Sequence, residues 1–254
     1  MGGTVTTRAT GEERALARAA LYRLLSLTFA YPGGEVGTDL KQAVEVALVA
    51  GPIIDPQVGK WVGRVEDRLA ENLEAQYQRV FTLSYSAECP LYETAFSARH
   101  LFQQTQQQAD IAGFYRAFGV TGHHERPDHL AAELEFGYLL ALKEARARTN
   151  REHRLVCRDG QRSFLRAHLG RWAPLIAQRV VVVGAGTMYE SAARLLLAFL
   201  AWEQGYLRLG RVELYRDEPM LIADEPGDLT CPLAESVVEG ILDRIEEERR
   251  VAEV

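Results

Sequence analysis

The residues best suited to chemistry lie around the middle of the chain. Three histidines and one aspartate fall within residues 123–129, and Glu133 follows His129 by four positions. Residues four apart share one face of a helix, and two imidazoles with a carboxylate can bind zinc or iron. This pattern supports one hypothesis, a metal-dependent helical enzyme that uses His124, His129 and Glu133. The structural alternative is that Asp128 caps a helix N-terminus and His129 is a partly buried polar residue.

A second polar cluster, residues 88–94, lies where a loop would lead into a helix. Cys89 has no candidate base at a fixed spacing, so a buried, inert cysteine is favoured over a catalytic thiol. Tyr92 and Glu93 suit a recessed polar contact at this junction. Glu93 is also explained simply as an acid in the first turn of a helix.

A third segment imitates a dinucleotide-binding turn. Residues 181–186 read VVVGAG, but Tyr189 stands where the third glycine of that fingerprint would be. A capping box made by Thr187 and Glu190 explains the segment better, and it predicts a helix start at this point.

Composition and charge narrow the class of protein. The 254 residues are 47% apolar and 25% charged, with a net charge of −6, which fits a folded domain and disfavours non-specific nucleic-acid binding. Three widely spaced cysteines argue against a disulfide scaffold, and no uncharged run approaches the ~20 apolar residues of a membrane span. We therefore expect a cytoplasmic protein. The chain has no nucleophile elbow or Walker loop, which disfavours catalysis.

The elements that must position these residues are predicted to be helices. Apolar residues recur at helical spacing along most of the chain, and the clearest stripe runs by fours from Trp61 to Phe81. Two β-branched stretches, 179–183 and 211–215, are candidates for short strands, and Gly113 is a candidate helix junction. Predicted helical segments are 12–30, 61–81, 94–118, 128–148, 160–170, 187–204 and 233–250. We predict one all-α domain over residues 1–254, with its core at about 15–205 and a long acidic loop at 205–232.

Aromatic residues gather near the predicted loops. A helical core is their ordinary explanation, but an acidic helical domain with an apolar groove would also suit a peptide that joins an apolar segment to basic flanks. The set comprises Tyr77, Phe81, Tyr85, Tyr92, Phe96, Phe114, Tyr115, Phe118 and Phe136.

Five short segments follow one another in a recognisable order. They read YQRVF at 77–81, CPLYET at 89–94, ADIAGFYRAFG at 109–119, RPDHLAAELEF at 126–136 and HLGRW at 168–172. With these segments, residues of about 15 to 205 resemble the TorD/DmsD/NarJ family of redox-enzyme maturation chaperones. The second and third segments look most like the subgroup that serves type II enzymes of the DMSO reductase family. One departure is Arg126, where many members have glutamate before the proline, and it changes the charge at that rim.

The resemblance implies a single-domain, TorD-like helical bundle that binds rather than catalyses. Such chaperones hold the N-terminal twin-arginine signal or leader and the apo form of a molybdenum oxidoreductase catalytic subunit. They assist insertion of molybdopterin guanine dinucleotide and delay export or assembly until the subunit has matured. The resemblance implies that the protein has no cofactor, metal or catalytic residue of its own, no nucleic-acid partner and no membrane insertion. It also implies a monomer or a dimer. The residues carried over as the client-binding site are Asp128, His129, Pro127, Glu133, Tyr92, Glu93, Tyr115 and Phe118.

Overall fold

Helices make up the regular structure of the described chain. The computed structural model describes residues 9–34, 36–69, 72–82, 88–120 and 126–219. Within these ranges there is no strand, and the fold is all-α as predicted. The helices are α1 (Gly11–Phe29), α2 (Val36–Ile54), α3 (Pro56–Asp67), α4 (Leu73–Tyr77), α5 (Thr94–Ser97), α6 (Leu101–Ala117), α7 (Leu130–Arg146), α8 (Arg151–Ala167), α9 (Leu169–Val183) and α10 (Met188–Tyr206).

The helix α1 lies at the centre of the packing. It begins at a capping box, in which the Thr10 side chain accepts from Glu13 N and the Glu13 carboxylate accepts from Thr10 N. Its middle turns are buried between α2 and α7, and α10 packs on α3 and α9. None of the helices in the described part of the chain is long and apolar enough to cross a bilayer.

A buried polar network ties α1 to three other helices. The Arg18 guanidinium is wholly buried and donates from Nε and Nη2 to the two carboxylate oxygens of Glu203 at 2.6 and 2.9 Å. Arg18 Nη1 donates to Glu144 Oε2 at 2.8 Å, and Nη2 also contacts Gln161. Arg158 donates to the second Glu144 oxygen at 2.5 Å. Two arginines therefore balance two carboxylates where α1, α7, α8 and α10 meet.

Several predicted helix boundaries were wrong, and local capping explains most of the differences. The stripe from 61 to 81 is not one helix, because α3 ends at Asp67 and the Asn72 side chain starts a new helix by accepting from Ala75 N at 3.2 Å. A π-helical turn, Gln78–Thr82, follows. The helix α2 was not predicted at all.

The predicted helix 94–118 is broken near its start rather than at Gly113. His100 caps α6 by accepting from Gln103 N, and Gly113 lies inside that helix. Asn150 likewise caps α8 by accepting from His153 N at 3.0 Å, which places the helix start well before residue 160. In both cases a side chain competes for backbone amides at a point that apolar periodicity does not mark.

Neither candidate strand is a strand. Residues 179–183 form the last turns of α9, with Val180 buried in the core. The predicted capping box is also wrong, because the Thr187 hydroxyl donates to Gly184 O and Glu190 accepts from Gly186 N instead. The segment therefore joins two helices and lacks the strand of a dinucleotide-binding turn.

Residues 207–219, within the predicted acidic loop, have no regular structure but are held along α8 and α9. Four arginines donate to backbone carbonyls of this segment. The pairs are Arg162 with Leu207, Arg166 with Leu209, Arg171 with Glu213 and Arg179 with Asp217. The rest of the predicted loop, the predicted helix 233–250 and Cys231 lie outside the described residues, so the single-domain assignment stays a prediction.

Candidate functional site

The two polar clusters of the sequence meet at one place in the fold. Glu93 N donates to Asp128 O and Leu130 N donates to Leu91 O, both at 2.9 Å. These bonds form an isolated antiparallel bridge between Tyr92 and His129. The loop before α5 and the turn before α7 are therefore locked together, and Tyr92 and His129, 37 positions apart in sequence, share one site.

His129, not Asp128, caps α7, so the predicted cap was one residue early. The backbone of His129 is extended, and its Nδ1 accepts from Ala131 N at 3.1 Å. Burial lowers the pKa of His129 to about 4, although the charge of Asp128 opposes that shift. The imidazole is therefore neutral at pH 7, as an accepting Nδ1 requires.

Asp128 is turned inward and is wholly buried. Its Oδ2 accepts from Thr94 Oγ1 at 2.6 Å, which ties the turn to the start of α5. Beside it, the Tyr115 hydroxyl donates to Pro127 O at 2.7 Å and fixes the turn from the α6 side. Proline at 127 and these two bonds hold the Asp128 carboxylate in one orientation.

Arg126 covers that carboxylate from the solvent side. Its Nε donates to Asp128 Oδ1 at 3.1 Å and its Nη2 to Asp128 Oδ2 at 2.9 Å, which is a bidentate pair. The guanidinium carbon lies 4.3 Å from the centre of the Tyr92 ring, and the Arg126 side chain is 41% exposed. In the sequence, Arg126 stood out only as a departure from the family pattern that changes the charge at the rim of the site.

Two buried carboxyl groups, Glu93 and Glu133, lie behind the bridge. Glu93 accepts from Gln107 Nε2 at 2.7 Å and from the Tyr215 hydroxyl at 3.0 Å, and His168 Nδ1 lies 3.2 Å away. Glu93 is thus a recessed polar group and not a first-turn acid at the surface.

Glu133 accepts from Trp172 Nε1 at 3.1 Å and hydrogen-bonds Glu93. Complete burial, followed by the charge of Glu93, raises the pKa of Glu133 well above its usual value. The raised pKa favours the protonated form of Glu133, and a proton on one of the two carboxyl groups makes their close approach possible.

A polar cleft of about 800 Å³ opens above Glu93. Its walls come from α6, from the α8–α9 junction and from Tyr215, and His168 Nε2 lies 3.3 Å from Asp110 Oδ2 in the cleft wall. His168, Trp172 and Tyr215 were not among the predicted site residues. The spacing of His168 and Trp172, four apart on one helix face, could have indicated the first two. Tyr215 lies outside the five segments and gave no signal.

Phe118 belongs to the aromatic core next to this site. Its ring packs on Phe136, with centroids 5.8 Å apart, and Phe136 in turn packs on Tyr115 at 4.8 Å. A Cβ atom on Gly160 would lie 2.3 Å from the Phe118 ring, so this glycine makes room for it. Phe118 is separated from Tyr115 by one ring.

Comparison with known proteins places this arrangement in a family. The family model described as "Nitrate reductase delta subunit" matches residues 38–178, which contain Tyr92, Glu93, Asp128, His129 and Trp172. The chain belongs to this family. The predicted resemblance to TorD and NarJ chaperones is therefore confirmed.

Several relatives of this chain are named as chaperones. The chain is 26% identical over 185 residues to the perchlorate reductase assembly chaperone protein of Dechloromonas aromatica, covering 66% of this chain and 80% of the relative. It is 26% identical to chaperone protein TorD of Vibrio cholerae, covering 72% and 88%, respectively. It is 27% identical to the chlorate reductase assembly chaperone protein of Ideonella dechloratans, covering 65% and 77%.

Among solved structures, the chain is similar to an Archaeoglobus fulgidus protein described as a redox enzyme maturation protein. The TM-score is 0.46 at 21% identity, and the match covers 79% of this chain and 99% of that one.

The hypothesis of a metal site at His124, His129 and Glu133 gains no support from the described residues. In the described ranges no group of three or more histidine, cysteine, aspartate or glutamate residues could hold a metal ion. His124 lies outside those ranges. Of the other two predicted ligands, His129 uses Nδ1 to cap α7, and Glu133 bonds to Trp172 inside the protein.

Cys89 is expected to react slowly with alkylating agents. It is buried, and burial raises the pKa of its thiol to about 11, so only about 0.1% would be thiolate at pH 8. Mass spectrometry of the peptide containing Cys89, after iodoacetamide treatment of folded and urea-unfolded protein, measures this. Equal labelling rates in the two states would contradict the expectation.

Proposed function

We propose that this protein is an assembly chaperone for the catalytic subunit of a molybdenum oxidoreductase. It would bind the N-terminal twin-arginine leader and the apo form of that subunit in the cytoplasm, assist insertion of the molybdopterin guanine dinucleotide, and delay export or assembly until then. Family membership and the names of the relatives support this proposal. It assigns the protein a binding role with no reaction of its own.

The observation that carries the proposal is the locked bridge between Tyr92 and His129. Within the matched region, it holds a buried carboxylate, Asp128, directly beneath a surface that presents the Tyr92 ring and the Pro127 turn. A fixed carboxylate next to an aromatic face suits a peptide with basic and apolar residues, because charge-assisted bonds and ring contacts then act together. The net charge of −6 favours the approach of such a peptide.

The predicted site residues take different roles in this proposal. Asp128 and Tyr92 contact the client. Pro127, His129 and Tyr115 hold the turn, since they set its backbone, cap α7 and bond to its carbonyl, respectively. The remaining members support the site from inside the protein: Glu93, Glu133 and Phe118.

The test is the affinity for a twin-arginine leader peptide from the catalytic subunit of a molybdenum oxidoreductase. We expect Asp128→Ala to weaken binding by about 10- to 100-fold, because a charge-assisted hydrogen bond contributes about 1.5–3 kcal/mol. His129→Ala should weaken binding by a smaller factor, since it removes the cap of α7 and the ring beside Tyr92.

Asp159→Ala is the matched control. Its carboxylate lies on α8 with 67% exposure and is paired with Arg162, so its loss removes the same charge without touching the site. Unchanged leader affinity in folded Asp128→Ala and His129→Ala proteins would overturn the site assignment. Recovery of the protein in stoichiometric amount from the mature, cofactor-loaded enzyme would overturn the chaperone role and indicate a structural subunit.

A further inference from the structure

The groups around the Arg126 side chain form a receptor for a guanidinium group. Asp128 supplies two carboxylate oxygens, Thr94 Oγ1 accepts from Arg126 Nη2 at 3.1 Å, and the guanidinium carbon lies over the Tyr92 ring, 4.3 Å from its centre. The Gln108 amide, turned so that its oxygen faces the arginine, accepts from Nη2 at 2.7 Å. We call these four residues, Tyr92, Thr94, Gln108 and Asp128, the guanidinium cradle.

The cradle is built mainly from parts that do not depend on Arg126. Thr94 donates to Asp128 Oδ2 at 2.6 Å, and Asp128 belongs to a turn whose neighbours are bonded to α5 and α6. Tyr92 is held by the bridge to His129. The Asp128 carboxylate is wholly buried beneath Arg126, whose side chain is 41% exposed. If Arg126 moved away, that carboxylate would face solvent or another cation.

We infer that Arg126 is a resident occupant of this cradle and that an arginine side chain of the client displaces it. The inference rests on the proposed function and adds to it the ligand chemistry of the site and its regulation. The cradle matches the planar fork of arginine, which carboxylates bind bidentately and aromatic rings stack on, and it matches the ammonium of lysine poorly. Arg126 lies two residues from Asp128, so it competes at a high effective concentration.

Competition by Arg126 lowers the apparent affinity for an outside arginine without abolishing it. If Arg126 occupies the cradle for about nine tenths of the time, the apparent affinity falls about tenfold, in proportion to the vacant fraction. The resident also keeps Asp128 paired when no client is bound, which avoids leaving a buried carboxylate without a partner. One side chain thus protects the site and sets the threshold for binding.

The probe is the dipeptide N-acetyl-Arg-Arg-amide, titrated calorimetrically against the full chain. We expect Arg126→Ala to bind it about tenfold more tightly than the wild type, and Arg126→Gln to show a gain in the same direction. The lysine dipeptide and the neutral citrulline dipeptide should gain little. Adding Asp128→Asn to Arg126→Ala should remove the gain, because the carboxylate is the main acceptor.

Arg68→Ala controls for the change of net charge. Arg68 is also 41% exposed and paired with a carboxylate, Glu190 at 2.9 Å, but it joins α3 to α10 and contributes nothing to the cradle. This variant should bind the arginine dipeptide as the wild type does. If it gains as much as Arg126→Ala, overall charge explains the effect and the inference is wrong.

The remaining outcomes separate this inference from the proposed function. Equal or weaker binding of the arginine dipeptide by folded Arg126→Ala and Arg126→Gln overturns the displacement, and so does an equal gain for the lysine dipeptide. If the leader peptide still binds the wild type in those cases, the proposed function stands. Failure of every variant to bind both the dipeptide and the leader overturns the two together.

Discussion

Replacing Arg18 by methionine is expected to lower the free energy of unfolding by about 3–5 kcal/mol, since breaking a buried ion pair leaves charge without a partner. The Arg18 side chain has no exposed surface, and it bonds to Glu203, Glu144 and Gln161. Methionine fills much of the volume but donates no hydrogen bond. Glu144 then keeps its bond to Arg158, whereas Glu203 loses its ion pair with Arg18. Urea unfolding followed by circular dichroism measures the loss.

Arg23→Met is the control for this experiment. Arg23 lies on the same helix, pairs with Asp39 at 3.3 Å, and its side chain is 35% exposed. An exposed pair of this kind contributes about 0–1 kcal/mol. Losses of similar size in the two variants would contradict the importance given to the buried network.

The deficit of Arg18→Met should shrink as the pH falls from 8 to 5. Burial already raises the pKa of Glu203 above its usual value, although Arg18 opposes the shift. Without Arg18 the folded-state pKa of Glu203 rises further above its value in the unfolded chain. Between those two pKa values folding takes up a proton, so a lower pH favours the folded variant. Burial also acts on Glu144, but Arg18, Arg158 and Gln161 outweigh it and leave its pKa lowered. A deficit that does not change with pH would contradict this explanation.

The success of sequence reasoning followed the strength of the local signals. The helix α1 has a capping box and a buried stripe, and its predicted bounds lie within one residue of those observed. The helix α2 also has a buried stripe, but more than half of its members are the small residues Ala43, Ala47, Ala50 and Gly51. A Cβ atom on Gly51 would lie 2.9 Å from the Gly59 backbone, so a glycine there allows α2 and α3 to approach closely. Apolar periodicity gives little weight to such residues.

The motifs identified the segments of the candidate site but not the orientation of its side chains. The sequence identified the segments that hold Glu93 and Asp128, and the fold brings them together. Their roles depend on tertiary contacts: a backbone bridge turns Asp128 inward and leaves the cap to His129. Tyr215 reaches Glu93 only because arginines of α8 and α9 hold its segment in place. No local pattern in the sequence encodes such a contact. Local propensity is likewise misleading at 179–183, where the valines favour a strand but tertiary packing makes the segment helical.

The buried carboxyl pair leads to the second large effect, a dependence of stability on pH that Glu133→Gln should remove. The folded-state pKa of Glu133 is raised well above the usual value of 4.5, chiefly by burial and then by Glu93. Between those two pKa values the folded protein holds a proton that the unfolded chain has lost. Stability therefore falls as the pH rises through that window, by up to about 1.4 kcal/mol per pH unit.

Glutamine keeps the neutral shape of protonated Glu133 and can still accept from Trp172 Nε1. We therefore expect Glu133→Gln to match the wild type near pH 4.5 and to become progressively more stable than it as the pH rises. Glu135→Gln is the control, because Glu135 is on the same helix with 51% exposure and its removal should leave the slope unchanged. Parallel stability–pH curves for the wild type and Glu133→Gln would show that Glu133 is ionised in the folded protein. A neutral Glu133 also has a consequence for the site: Glu93 can then stay beside it and keep its bonds to Gln107 and Tyr215.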